Sequence, residues 1–350
     1  MIQYSKGFAF EAARQLSEQE GVGLNIHGHS FKLFVTLDSN ETDDSIVFDT
    51  LEKRVAPVLK QMNYGFLNEV TALQHPSDSI LLEWIQQELS DFSCEQLKLK
   101  QLKLLSTQNT GSILDSSGLK YAFHHFMLHS AHFLPHVPLG HKCGRLHGHN
   151  FGILLQWKFD SSETILNYEE IRQRFAPCYE QLNKKLLNDI SGLENPTSEN
   201  LSAWIWHQLK AENPLLDQVT VYETRSSGST YDGKGWNCFK QFSMDGAIQG
   251  EDDLMGHTYE VRLYISGDVD TKLGWIVDFG DIKDSFKPYF KTLDHHALHE
   301  VEGMQAPTLA NIAKWIAIKL SPSLPQLSQI EIWNTEYSGM CYDLGLNQVV

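Results

Sequence analysis

In YEVRLYI the apolar residues Val261, Leu263 and Ile265 alternate with polar ones. That period of two puts them on one side of an extended chain, the signature of a strand. FMLHSAHFL (126–134) and HNFGILLQWKF (149–159) also read as strands. The period then changes. DIKDSFKPYFKTL (281–293) predicts a helix, and so does PTSENLSAWIWHQL (196–209). In the second, Leu201, Trp204, Ile205 and Leu209 share one face, Gln208 is the polar exception, and Pro196, Thr197 and Ser198 start the helix. LKLLST, VTVYET and IEIWNT each predict a further strand.

These patterns recur. NYGFLNEV, NKKLLNDI and DHHALHEV begin at Asn63, Asn183 and Asp294, 120 and then 111 residues apart. Trp84-Ile85, Trp204-Ile205 and Trp315-Ile316 keep those offsets, as do Phe48, Tyr168 and Phe279. Self-similarity at a fixed offset marks a repeat architecture. The units are placed at 1–115, 116–232 and 233–350, with SILDSSG and SSGSTYDGKG as linker-like junctions. Each reads ββααβ(β), an α+β module on an antiparallel sheet. The Trp-Ile pairs are expected in the core.

Composition adds bounds. At 350 residues and 41% hydrophobic the chain can bury a sizeable core, and its net charge is −16. An acidic balance argues against a nucleic-acid partner, which needs excess Lys and Arg. No apolar run reaches the roughly 20 residues of a membrane span, and MIQYSKGFAFEAARQL lacks the order of a signal peptide. Cys94, Cys143, Cys178, Cys238 and Cys341 are odd in number and widely spaced, so a reduced, cytoplasmic setting without a disulfide framework is expected.

The chemistry concentrates in GHKCGRLHGHN (140–150). Residues i and i+2 of a strand point to one side, so His147 and His149 can offer two imidazoles to one ion. His132, at the end of the preceding strand, can supply a third. Three histidines with an open position are how catalytic zinc sites are built, although other divalent metals also accept imidazole. The competing reading is a histidine-rich loop. Cys143 reads either as a thiolate activated by a nearby cation or as an inert thiol. His124, His125, His129, His136 and His141 read as surface or packing residues, with His141 alternatively near the mouth of the site.

PHVPLGHKCGRLHGHNF (135–151), NDISGLENPTSENLSAWIW (188–206) and VYET (221–224) closely resemble the 6-pyruvoyltetrahydropterin synthase family. Within it they resemble the 6-carboxytetrahydropterin synthases of queuosine biosynthesis. GWIVDFGDIK and LDHHALHEV carry the likeness in the third unit, and FAFEAARQL and HGHSF carry it faintly in the first.

The resemblance implies three tunnelling-fold repeats. They would close a pseudo-trimeric antiparallel β-barrel with helices outside, and two barrels would stack as a homodimer. It implies Zn(II) on His132, His147 and His149, a catalytic Cys143, an Asp294–His295 pair, and Glu223 gripping the pterin ring. It further implies a pterin triphosphate substrate, 7,8-dihydroneopterin triphosphate. The products would be 6-carboxy-5,6,7,8-tetrahydropterin, acetaldehyde and triphosphate; Lys142 and Arg145 read either as triphosphate contacts or as solvated surface charges. The alternatives are pyruvoyl synthesis, which keeps the carbon chain, and a non-catalytic pterin-binding protein.

No unit holds the whole set. The first has Arg14, His27 and His29 at the histidine positions, and the third keeps only His257, with Met255 beside it. Asn183-Lys184 and Asn63-Tyr64 stand in place of Asp294-His295, and Ser106 and Asn334 in place of Glu223. One composite site is therefore expected, with the third unit completing the second and the first mainly structural.

Overall fold

The computed structural model describes residues 1–16, 25–40, 43–90, 97–159, 167–249, 253–304 and 306–345. The elements run β1 (Ile2–Arg14), β2 (His27–Ser39), α1 (Asp44–Met62), β3 (Gly65–Phe66), α2 (Leu67–Val70), α3 (Asp78–Glu88), β4 (Leu97–Leu105) and β5 (Thr110–Asp115). Then come β6 (Lys120–His132), β7 (His147–Phe159), α4 (Tyr168–Leu182), α5 (Ser198–Lys210), β8 (Leu216–Thr224) and β9 (Ser227–Tyr231). The chain continues through β10 (Trp236–Gln249), β11 (Leu254–Gly267), α6 (Phe279–Leu293), β12 (His296–Ala297), α7 (Leu309–Leu320), β13 (Leu327–Trp333) and β14 (Ser338–Asp343). The order of two long strands, two main helices and a closing hairpin occurs three times.

Twelve antiparallel strands form a closed ring. It runs β1-β2-β4-β5-β6-β7-β8-β9-β10-β11-β13-β14 and returns to β1. The two-residue strands β3 and β12 add parallel pairings to β1 and β10. Closure leaves no long strand edge exposed among the described residues. Alternate strand residues pack against helices: Ile153, Leu155 and Val219 are buried with Phe175, Leu201 and Ile205, and Val35, Leu37 and Leu102 with Val47, Leu51 and Ile85. Full burial of one such side chain is worth about 1.5–3 kcal/mol. The opposite face is polar. On it Arg262 donates to Gln241, and Tyr264 to Glu331.

The helices begin where the sequence signals them. Thr197 caps α5 by accepting from the Asn200 N–H, and Thr308 caps α7 in the same way. Ile85, Ile205 and Ile316 are fully buried and Trp204 and Trp315 nearly so, as expected of core landmarks, whereas Trp84 packs against the core while only partly buried. The linker-like junctions proved otherwise. SILD belongs to β5 and SSGSTY largely to β9, and each passes the ladder to the next unit. Glycines of these two strands serve close approach. A Cβ on Gly111 would lie 2.2 Å from the Leu104 carbonyl oxygen, and one on Gly228 2.2 Å from that of Val221. Among the described residues no helix is long and apolar enough to cross a membrane.

Candidate active site

Pairing of β6 with β7 sets His132 directly opposite His147, and Ser130 opposite His149. The three rings lie 4.5 to 5.2 Å apart between centroids. One nitrogen from each, with a Glu223 oxygen, falls within 4.8 Å of the others. The His132 Nδ1 is 2.9 Å from the Pro196 carbonyl, and the His147 Nδ1 is 2.7 Å from the Arg145 carbonyl. A carbonyl only accepts, so both Nδ1 atoms carry the proton and each Nε2 presents a lone pair. The Nε2 atoms of His132 and His149 are buried without a hydrogen-bond partner. Burial, followed by the neighbouring histidines, pushes His132 down to about 4, against the Pro196 carbonyl, so it stays neutral. Orphaned, neutral imidazole nitrogens converging on one point fit a divalent cation.

Beside this cluster opens a cavity of about 600 Å³. One wall carries Cys143, Glu199 and Glu223; the other comes from the third unit, with Lys240, Trp275, Asp278 and Lys283. Helix α5 grips that second wall through its first turn. Asn195 donates to the Leu273 carbonyl and Thr197 to that of Gly274, and the Ile276 N–H donates to Glu199. Gly274 sits at φ +79°, and any Cβ there would lie 2.6 Å from Asn195 and Asn200 nitrogens.

The cavity's electrostatics follow from burial. Desolvation pushes Glu199 and Glu223 each up to about 7. For Glu223, the charges of Lys240 and Lys142 pull the other way. Its Oε1 lies 3.5 Å from the His149 Nε2. Burial pushes the half-buried Cys143 thiol up, and the Glu223 charge adds to this while Lys142 opposes it. Lys240 is lowered by burial and then by Lys142. Among the described residues, no carboxylate oxygen lies within 4.0 Å of Lys142, Lys240 or Lys283.

The corresponding positions elsewhere are differently built. Arg14 lies opposite His27 as His132 lies opposite His147. Its Nη1 donates to the Pro76 carbonyl, matching the His132–Pro196 contact, and to Asp78 at 2.6 Å. Ser106 and Tyr168, the latter from the second unit, also donate to Asp78. A guanidinium with a buried carboxylate thus occupies the first unit's version of the site. In the third unit, Ile248 faces Met255, leaving only His257.

Asp294 and His295 lie apart from the cavity. Asp278 caps the start of α6 and lines the cavity, whereas Asp294 caps the other end of this 15-residue helix, about 22 Å away. Asp294 accepts from the Asp245 N–H at 3.0 Å, and its other oxygen is 3.0 Å from the His295 Nδ1. That contact raises His295. Asn63 and Asn183 accept from strand N–H groups in the same manner, and Tyr64, Lys184 and His295 all have φ near +60°. The acceptor is therefore a structural feature of every unit, and His295 is what distinguishes the third. Its side chain is 74% exposed.

A profile of the family described as 6-pyruvoyl tetrahydropterin synthase matches residues 3–116, 122–234 and 246–344. The chain belongs to this family. The 6-carboxy-5,6,7,8-tetrahydropterin synthase of Synechocystis is 37% identical over 115 residues, covering 30% of this chain and 88% of that protein. The dihydroneopterin monophosphate aldolase of Pyrococcus furiosus is 30% identical over 96 residues, covering 27% and 81%. The structure of Caenorhabditis elegans 6-pyruvoyl tetrahydropterin synthase aligns at 20% identity with a TM-score of 0.29, over 31% of this chain and 94% of that one. The family's chemistry acts on pterins, and lyase-type enzymes are among its members.

The structure brings together His132, His147, His149, Cys143 and Glu223, with Lys142 and Arg145 on the same cavity. His124 stacks on Phe126, His125 packs against Tyr222, and the Nδ1 atoms of His129 and His136 contact Asn150 and the Lys272 carbonyl, in line with surface or packing roles. His141 takes the alternative place, near the site: it lines the cavity and contacts Asp278. Sequence reasoning missed Glu199, Lys240 and Lys283. The repeat offsets contain the signal for Glu199, since Ser79 and Ala310 hold its place in the other units. Cys178 and Cys238 are buried free thiols, and Cys94 lies outside the described residues.

Proposed function

We propose that the chain is a zinc-dependent 6-carboxy-5,6,7,8-tetrahydropterin synthase of queuosine biosynthesis, acting in the cytoplasm. It would convert 7,8-dihydroneopterin triphosphate to 6-carboxy-5,6,7,8-tetrahydropterin, acetaldehyde and triphosphate. The observation that carries this reading is the convergence of three metal-competent imidazoles, a thiol and a half-buried carboxylate on one cavity, found among the described residues in the second unit.

His132, His147 and His149 would hold the ion, which when bound supplies Lewis acidity toward the substrate's side-chain hydroxyls. Glu223 accepts two hydrogen bonds from the amino and ring N–H groups of the pterin edge. Lys142, Lys240, Lys283 and Arg145, none of them paired with a carboxylate among the described residues, meet the triphosphate. Cys143 takes up a proton at the side chain, and His295, oriented by Asp294, serves as its acid–base partner.

Because Asp294 and His295 cap the far end of α6, they cannot complete the site of their own chain. A second copy stacked on the same barrel end can bring them. Exposed apolar residues ring that end at matching places, one residue before His27, His147 and Met255: Ile26 at 64%, Leu146 at 67% and Leu254 at 66%. A closed two-fold stack of two such covalent pseudo-trimers buries this ring and completes two sites at once.

Product analysis by mass spectrometry on zinc-loaded protein tests the reading. Carboxytetrahydropterin with acetaldehyde is expected. A pyruvoyl product would keep the site and overturn the assigned reaction. Bound but unchanged substrate would make the chain a pterin-binding protein.

A further inference from the structure

His141 uses both of its ring nitrogens. Its Nδ1 accepts from the Cys143 backbone N–H at 3.2 Å, capping the short 3₁₀ turn Lys142–Gly144 that carries the cysteine. Its Nε2 lies 3.0 Å from the Asp278 Oδ2, across the seam between the second and third units. An N–H only donates, so the accepting Nδ1 is unprotonated. The ring proton therefore sits on Nε2 and is donated to Asp278. Asp278 is equally committed, since its Oδ1 accepts from the Gly280 N–H at 2.6 Å as the N-cap of α6. The turn has a second tether, because the Leu134 N–H donates to the Cys143 carbonyl at 2.8 Å.

We propose that His141 and Asp278 form a strut that holds the Cys143 turn in its working geometry, with Asp278 reaching that turn through His141 besides capping α6. Both are positioning residues. A histidine that shuttled protons would need one nitrogen free toward the cavity, and His141 has neither. The carboxylate selects the tautomer, the tautomer creates the acceptor, and the acceptor fixes the turn. The same contact joins residues 137 positions apart, so docking of the third unit and placement of the cysteine are one event. The proposal rests on Cys143 being the reacting thiol.

The test uses full-length, zinc-loaded protein with His141→Ala, His141→Asn, Asp278→Ala and the His141→Asn/Asp278→Ala double variant. Two quantities are read: the iodoacetamide alkylation rate of the Cys143 peptide, and kcat and KM. Asparagine is a strong N-cap, so His141→Asn keeps an acceptor for the Cys143 N–H without needing Asp278.

His141→Ala and Asp278→Ala are expected to lower kcat about 5- to 30-fold, the population penalty of a lost cap, with KM held. Alkylation should become faster as the half-buried thiol is released. His141→Asn should restore both readouts, and adding Asp278→Ala to it should change neither, the lost α6 cap showing only as a lower unfolding midpoint. If His141→Asn is as impaired as His141→Ala, the imidazole itself takes part in the reaction and the strut is wrong. The same follows if Asp278→Ala keeps its effect in the His141→Asn background. Should even the unaltered protein not turn over substrate, the alkylation pattern still decides the strut, and the failure belongs to the assigned reaction.

Discussion

Glu199 gives the sharpest stability prediction, because its carboxyl is buried with its acceptor bonds shared between a backbone N–H and one hydroxyl. Ile276 donates to one oxygen and Ser198 to the other. Desolvation lifts the group from 4.5 to about 7. The folded state therefore holds a proton that the unfolded chain releases. The stability contributed by that protonated acid is fully present below about pH 4.5 and is lost as pH rises through about 7. Each pH unit in this window costs about 1.4 kcal/mol, so the loss totals about 3 kcal/mol. Glu199→Gln removes the titration, and glutamine can still accept from Ile276 while its amide faces Ser198. For a 350-residue chain, about 3 kcal/mol corresponds to about 4 °C in the thermal midpoint. Melts of metal-free protein at pH 5 and pH 8 should show the variant matching the parent at the lower pH and exceeding it by about that amount at the higher. Parallel curves at every pH would refute the reasoning, for they would mean that Glu199 takes up no proton on folding.

Arg14→Ala strands the buried Asp78 without its cation and should cost about 3–5 kcal/mol, read as a lowered unfolding midpoint; an unchanged midpoint would mean the pair is dispensable. Zinc content by atomic emission after exhaustive dialysis should be one equivalent per chain, falling to near zero in His132→Ala, because the first unit places Arg14 and the third Ile248 at the first histidine's position. Mixing inactive Cys143→Ala and Asp294→Ala chains should restore about a quarter of the parental activity. Half of the randomly formed dimers are mixed, and each has one intact site. No recovery on mixing would place the pair's partner within its own chain.

Much of the architecture was legible because its code is local. A period of two or 3.6, a Thr cap, and landmarks repeated at 120 and 111 residues need no distant partner, and they located the strands, the helices and the three units. The same holds for the metal cluster. His147 and His149 share a strand face by geometry alone, and His132 follows once β6 and β7 pair.

Local code failed where composition misled. Ser- and Gly-rich junctions read as linkers, yet β5 and β9 are built partly from them, and the bare Cα of Gly228 lets the Val221 carbonyl approach closely. Tertiary structure alone decided the rest: that the start of α6 and not its end walls the cavity, that His141 meets Asp278, that Glu199 and Glu223 become weak acids, and that lysines from the third unit face the second unit's cysteine. These facts join residues 77 to 137 positions apart across seams that exist only when the barrel closes. Burial and field strength depend on everything packed around a group, and periodicity along the chain carries no record of what lies across a seam.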